Sequence, residues 1–162
     1  MRSLNSLLAA WAAAMLVPAA AATDLHDHWD TRCRPCHGDA GPFARSTLRV
    51  EGGRLLGRHH GDALATFLRQ HYLADDLVEP VMQMLQAQAT TSPVFKEKCA
   101  GCHGNAAELA RKSLEMRDGV LVGRASGRPV RDDLQRHGGL AAEQVAPMVS
   151  TLERVLAEVG RR

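Results

Sequence analysis

Two short stretches carry most of the capacity for chemistry in this 162-residue chain. Cys33-Arg34-Pro35-Cys36-His37 and Cys99-Ala100-Gly101-Cys102-His103 each set two thiols three positions apart, with an imidazole directly after the second. Thiols so spaced on a tight helical turn could close a disulfide, cycle as a redox dithiol, share a zinc ion, or add across the two vinyl groups of one haem. Only the last gives the following His a task, because on that turn it is directed at the iron from the proximal side. A zinc ion would need distant further ligands, and a thioredoxin-like dithiol belongs in a βαβ setting that the pattern lacks. Cys33, Cys36, Cys99 and Cys102 are therefore read as attachment points for two covalently bound haem c groups, with His37 and His103 as iron ligands.

The two stretches are copies of one another. Sliding the chain by 66 residues superposes Cys33, Cys36, His37 and Gly38 on Cys99, Cys102, His103 and Gly104. The match continues without a gap through Ala44/Ala110, Arg45/Arg111, Gly53/Gly119, Gly57/Gly123, Arg58/Arg124, Gly61/Gly127 and Leu68/Leu134 to His71/His137. An internal repeat of this kind means two copies of one structural unit. The expected division is a leader over residues 1–22, one haem domain over 23–90 and a second over 91–162.

Repetition also narrows the search for the second axial ligand, since true ligands should occupy equivalent positions. His71 and His137 each follow the first His of their unit by 34 residues, and Met82 and Met148 each follow it by 45. The methionines fall inside an apolar helical stripe, where a thioether packs well. The histidines end a short segment before it. His71 and His137 are thus the favoured partners, with Met82 and Met148 as the alternative. The choice matters, because Met opposite His raises the reduction potential and a second imidazole does not. His59 and His60 match Ala125 and Ser126, so a ligand role for them would make the two sites unlike. Arg58 and Arg124, and less so Arg45 and Arg111, have the planar fork that suits a haem propionate, or are ordinary solvated side chains.

The elements that must position these residues read as helical. Trp29 and Phe95 precede the first Cys of each unit by four residues, one helical turn. Apolar residues recur at helical spacing in two closing segments, over Leu73–Ala89 and over 140–160, with Val78, Val81, Met82 and Leu85 in the first. The Gly-rich middle of each unit is expected to be irregular, and Thr90-Thr91-Ser92-Pro93 to separate the units. The resulting expectation is an all-α chain of two small tandem domains. Only 4% of residues are aromatic, so the side chains offer little bulk for two such cores. Domains near sixty residues usually draw on a cofactor, metal or disulfide for stability.

Arg2, the apolar run Leu7–Val17 and Ala20-Ala21-Ala22 resemble an export signal, which would place the mature chain in the periplasm. The apolar run is short for a bilayer span, and no later stretch is long enough to be one, so no membrane span is expected once the signal is removed. With 20 basic against 18 acidic residues, no strong field exists to attract nucleic acid.

Taken with Gly38 and Gly104, the preceding aromatics and the closing helices, the two motifs make the chain resemble a tandem di-haem relative of the small class I cytochromes c, in a cytochrome c4-like arrangement. The resemblance covers nearly all of the mature chain, and its specific part is the haem motif. It implies a helical shell around one haem per unit, electron transfer with redox partner proteins rather than catalysis, and service as a soluble shuttle or as the cytochrome subunit of a periplasmic enzyme. The alternative is a haem enzyme or ligand sensor with one open or displaceable axial position. The chain departs from that family in its compact units and in lacking the Tyr-Leu pair common in the closing helix.

Overall fold

The computed structural model describes residues 22–59 and 61–160. Residues 1–21, which hold most of the expected export signal, lie outside them, as does His60.

Unit 1 runs α1 (Leu25–His28), a π-helical turn (Trp29–Cys33), α2 (Arg34–His37), α3 (Ala40–Thr47), β1 (Leu48–Glu51), β2 (Arg54–Gly57), α4 (Leu64–Gln70) and α5 (Asp75–Thr90). Unit 2 repeats the plan with α6 (Val94–Lys98), α7 (Ala100–His103), α8 (Ala106–Ser113), β3 (Leu114–Arg117), β4 (Val120–Gly123), α9 (Val130–Arg136) and α10 (Ala142–Glu158). The chain is mostly helical, and among the described residues no helix is long and apolar enough to cross a membrane.

The all-α expectation needs correction in the Gly-rich middles. Each is an antiparallel hairpin, pairing Leu48 with Gly57 through Glu51 with Arg54, and Leu114 with Gly123 through Arg117 with Val120. The turns explain why. Gly52 and Gly53 have φ of 56° and 77°, and Asp118 and Gly119 have 50° and 77°. Two successive positive φ values are what a two-residue hairpin turn requires, and Asp-Gly and Gly-Gly are the pairs that adopt them most readily. That signal was present in the sequence, beside the β-branched and aliphatic residues of Val120-Leu121-Val122.

The closing helices carry the cores. Asp75 and Asp76 open α5, favourably placed against the positive end of the helix dipole. Val78, Val81, Met84 and Leu85 then bury one face against Trp29, Ala44, Leu48, Leu55 and Leu64. It is Met84, fully buried, that fills this core, while Met82 sits half-buried at its margin. In unit 2, Val145, Met148, Leu152, Val155 and Val159 pack against Ala107, Ala110, Leu114, Leu121 and Val130. Each buried cluster draws on its own unit alone.

Candidate functional site

Each C-x-x-C-H stretch is built as a short helix with the His as its last residue. Pro35 fits the first turn of α2, where its missing N–H has no helical partner to lose. Gly38 and Gly104 end the helices at φ of 70° and 69°, their N–H groups donating to the carbonyls of Arg34 and Ala100 at 2.9 and 3.0 Å. A side chain at that φ would strain the backbone, which accounts for Gly after both motifs. In unit 1 the Trp29 indole N–H donates to the Gly38 carbonyl at 3.0 Å and ties the approaching helix to the turn.

The late histidines arrive from the other side of the unit, each just past the end of α4 or α9. The two ring pairs then meet in the same way. His37 and His71 have centroids 5.8 Å apart, and so do His103 and His137, with interplanar angles of 62° and 78°. Three of the four rings are exposed and His103 is half-buried. Each pair thus lies at the surface, the two rings edge to face. One metal ion bonded to a nitrogen of each ring at about 2 Å would separate the ring centres by about 6 Å. The spacing leaves room for one ion bonded to both rings and is also that of a direct edge-to-face contact.

All four cysteines are free thiols. Burial pushes Cys33 above the ordinary thiol range; it does the same to Cys99, against a smaller opposing pull from the Lys98 charge. Such thiols are poor thiolates, the reverse of what a redox dithiol needs. Among the described residues no group of three or more His, Cys, Asp or Glu converges into a cluster able to hold a metal by itself. Two opposed imidazoles alone leave the remaining positions of an ion to be supplied by something other than the chain.

Comparison with protein-family models, curated proteins and solved structures finds no match. The site must therefore be read from its own geometry.

The methionine alternative loses its basis in the repeat. Gly138-Gly139 replaces the single residue Tyr72, so beyond the late histidines equivalent residues are 67 apart: Leu73 with Leu140, Pro80 with Pro147, Leu85 with Leu152. Met82 thus corresponds to Val149, and Met148 to Val81. Met148 is 4% exposed within the second core. His59 is exposed at the hairpin end.

The arginines divide. Arg58 is exposed, with its backbone N–H donating to the Thr47 carbonyl at 3.1 Å. Arg124 spends its guanidinium on the Leu114 carbonyl at 2.9 Å, and Arg45 on that of Gln88 at 3.2 Å. Arg111 is committed across the units: its fork donates to both carboxylate oxygens of Asp24 at 2.6 and 2.9 Å. Burial raises the Asp24 carboxyl, but the Arg111 hydrogen bond and charge and the Asp27 N–H outweigh it and hold the group below the usual carboxylate range. Beside this pair, His26 meets Glu158 at 2.8 Å, and Arg154 meets the same carboxylate at 2.6 Å.

These contacts clamp the start of unit 1 to unit 2 and were not legible in the sequence, because the partners lie 87 and 132 positions apart. Next to the clamp a cleft of about 470 Å³ opens between the units, lined by Trp29, Arg34 and Arg45 on one side and Phe95, Ala100 and Arg154 on the other. The thiols and the four ring-pair imidazoles do not line it. Arg34 and Ala100 belong to the middle of the two C-x-x-C turns, so the cleft runs behind the turns.

Proposed function

We propose that this chain is an electron carrier with two covalent c-type haems, one per repeat unit, each iron gripped between two imidazoles: His37 with His71, and His103 with His137. The observation that carries the reading is the recurrence of one separation, 5.8 Å, between rings at matching positions of both units, each pair beginning one residue after a thiol pair. A haem would supply the iron's remaining ligands, with His37 and His71, and His103 and His137, holding it from the chain.

When bound, such a group supplies one-electron exchange without making or breaking bonds to the chain. The residues do the rest. Cys33 with Cys36, and Cys99 with Cys102, hold the group by two thioether links, so that it is retained in a dilute compartment outside the cell membrane. Two imidazoles per iron would leave no position for oxygen, peroxide or a substrate, which favours relay over catalysis. A second imidazole in place of a thioether also keeps the potential low. The leader-like residues 1–22 make the periplasm the proposed location, and redox proteins the proposed partners.

The test is to express the full chain with a c-haem maturation system and measure haem per chain by mass and absorbance. Two haems are expected, with low-temperature EPR and a near-infrared spectrum of the oxidised protein typical of paired imidazoles. Colourless protein would end the reading. Rapid binding of carbon monoxide to either reduced site would replace it with the ligand-sensor alternative.

A further inference from the structure

The two sites match at the facing imidazoles but differ in the walls around them. In unit 1, Phe67 precedes His71 by one helical turn, and the two rings stack at 4.8 Å within 20° of parallel. Phe43 meets the His37 ring edge-on, also at 4.8 Å, and Trp29 backs Phe43 at 5.2 Å. At the corresponding positions unit 2 has Asp133 for Phe67 and Leu109 for Phe43. The Asp133 carboxylate is paired with Arg128 at 2.9 Å and Arg136 at 3.5 Å. The helix delivering the late histidine thus presents an aromatic ring in one unit and a hydrated ion cluster in the other.

Resting on the haem reading above, we infer that Phe67 is a positioning residue that raises the reduction potential of the first site above that of the second, so that an electron entering at unit 2 settles in unit 1. Oxidation adds one positive charge at the iron. An aromatic wall that excludes water penalises this charge, whereas a partly exposed ion cluster leaves it open to solvent; burial is among the levers that set haem potentials. The two arginines oppose the carboxylate, but their side chains are 58% and 62% exposed against 32% for Asp133, so solvent screens them more. The internal transfer would be balanced: one electron would leave the group held by unit 2 and enter the group held by unit 1, with no proton or bond exchanged.

The test is a spectroelectrochemical titration of the two-haem protein, with EPR to verify that both irons keep two imidazoles. The wild-type protein is expected to titrate in two waves, with an equilibrium constant for transfer to unit 1 of at least about tenfold, equivalent to about 59 mV. Phe67→Asp should lower one wave and leave the other in place, and Phe67→Leu should lower it less. Asp133→Phe should raise the other wave, and the milder Phe67→Leu decides the matter if Phe67→Asp loses haem. Coincident waves in the wild-type protein, or an Asp133→Phe protein with both haems bound and both waves unmoved, would overturn the inference. Protein that carries no haem would show this by absorbance before any titration, and would then refute the underlying reading.

Discussion

Units 1 and 2 share their thiols, their paired imidazoles, the glycine that ends each C-x-x-C-H helix and the hairpin that follows. Around these, several of the larger side chains differ. Trp29 answers to Phe95, Phe43 to Leu109, Phe67 to Asp133, and Tyr72 to Gly138-Gly139. The geometry that holds two rings 5.8 Å apart survives these exchanges, because it depends on where two helices end and not on which side chains line the space between. What had to be kept was backbone; what diverged was environment.

The largest break in this comparison should come from removing one attachment. With so little aromatic bulk, each unit is expected, on the haem proposal, to depend on that group for part of its core. Cys99→Ser with Cys102→Ser should halve the haem content and unfold unit 2 more than unit 1. Haem absorbance per chain and far-UV circular dichroism measure both, and helicity equal to wild type would contradict it.

Core truncation should affect the units more evenly. Leu85 and Leu152 are 2% and 1% exposed at equivalent places. Leu85→Ala and Leu152→Ala should each cost about 2–5 kcal/mol in denaturant unfolding. A large disparity would show that one cluster is the weaker.

A smaller effect is expected at the clamp that joins the units. Asp24→Asn keeps the shape and removes the charge facing Arg111, and should cost about 1 kcal/mol, a discounted figure for a partly exposed pair. Because the folded-state carboxyl of Asp24 is held below its unfolded value, its contribution is complete above the ordinary carboxylate range and disappears as pH falls through the lowered value. Acid titration of stability should therefore show a loss at low pH that Asp24→Asn lacks. Identical acid profiles would mean that the clamp contributes nothing.

The smallest change concerns the step out of α4. Tyr72 is 98% exposed with φ of 64°, a region that suits the glycine found at the same corner of unit 2, Gly139, with φ of 57°. Relief of that strain by Tyr72→Gly is partly offset by the added freedom of the unfolded chain, leaving a gain of about 0.5–1 kcal/mol. Thermal unfolding would register it, and a loss of stability would mean that the ring has a packing role.

The pairing of imidazoles was legible because the repeat set His71 and His137 at equivalent positions, and the structure brings each beside the first His of its unit. The helices were legible for a related reason: Val78, Val81 and Leu85 lie at one periodicity along a continuous segment. The hairpins were legible too, in Gly52-Gly53 and Asp118-Gly119, had positive-φ pairs been weighed as turns instead of as loops.

Tertiary structure alone decided the rest. The burial of Met148 within the second core, against the half-buried place of Met82 in the first, is seen only in the packed units. The pairing of Arg111 with Asp24 depends on how two units dock, and nothing in a local stretch of chain encodes a contact between residues 87 positions apart. The sequence by itself determined which atoms are available and how each short element is wound, because those follow from neighbouring residues. How close the imidazoles come, and which arginine spans the units, were decided when separate elements packed.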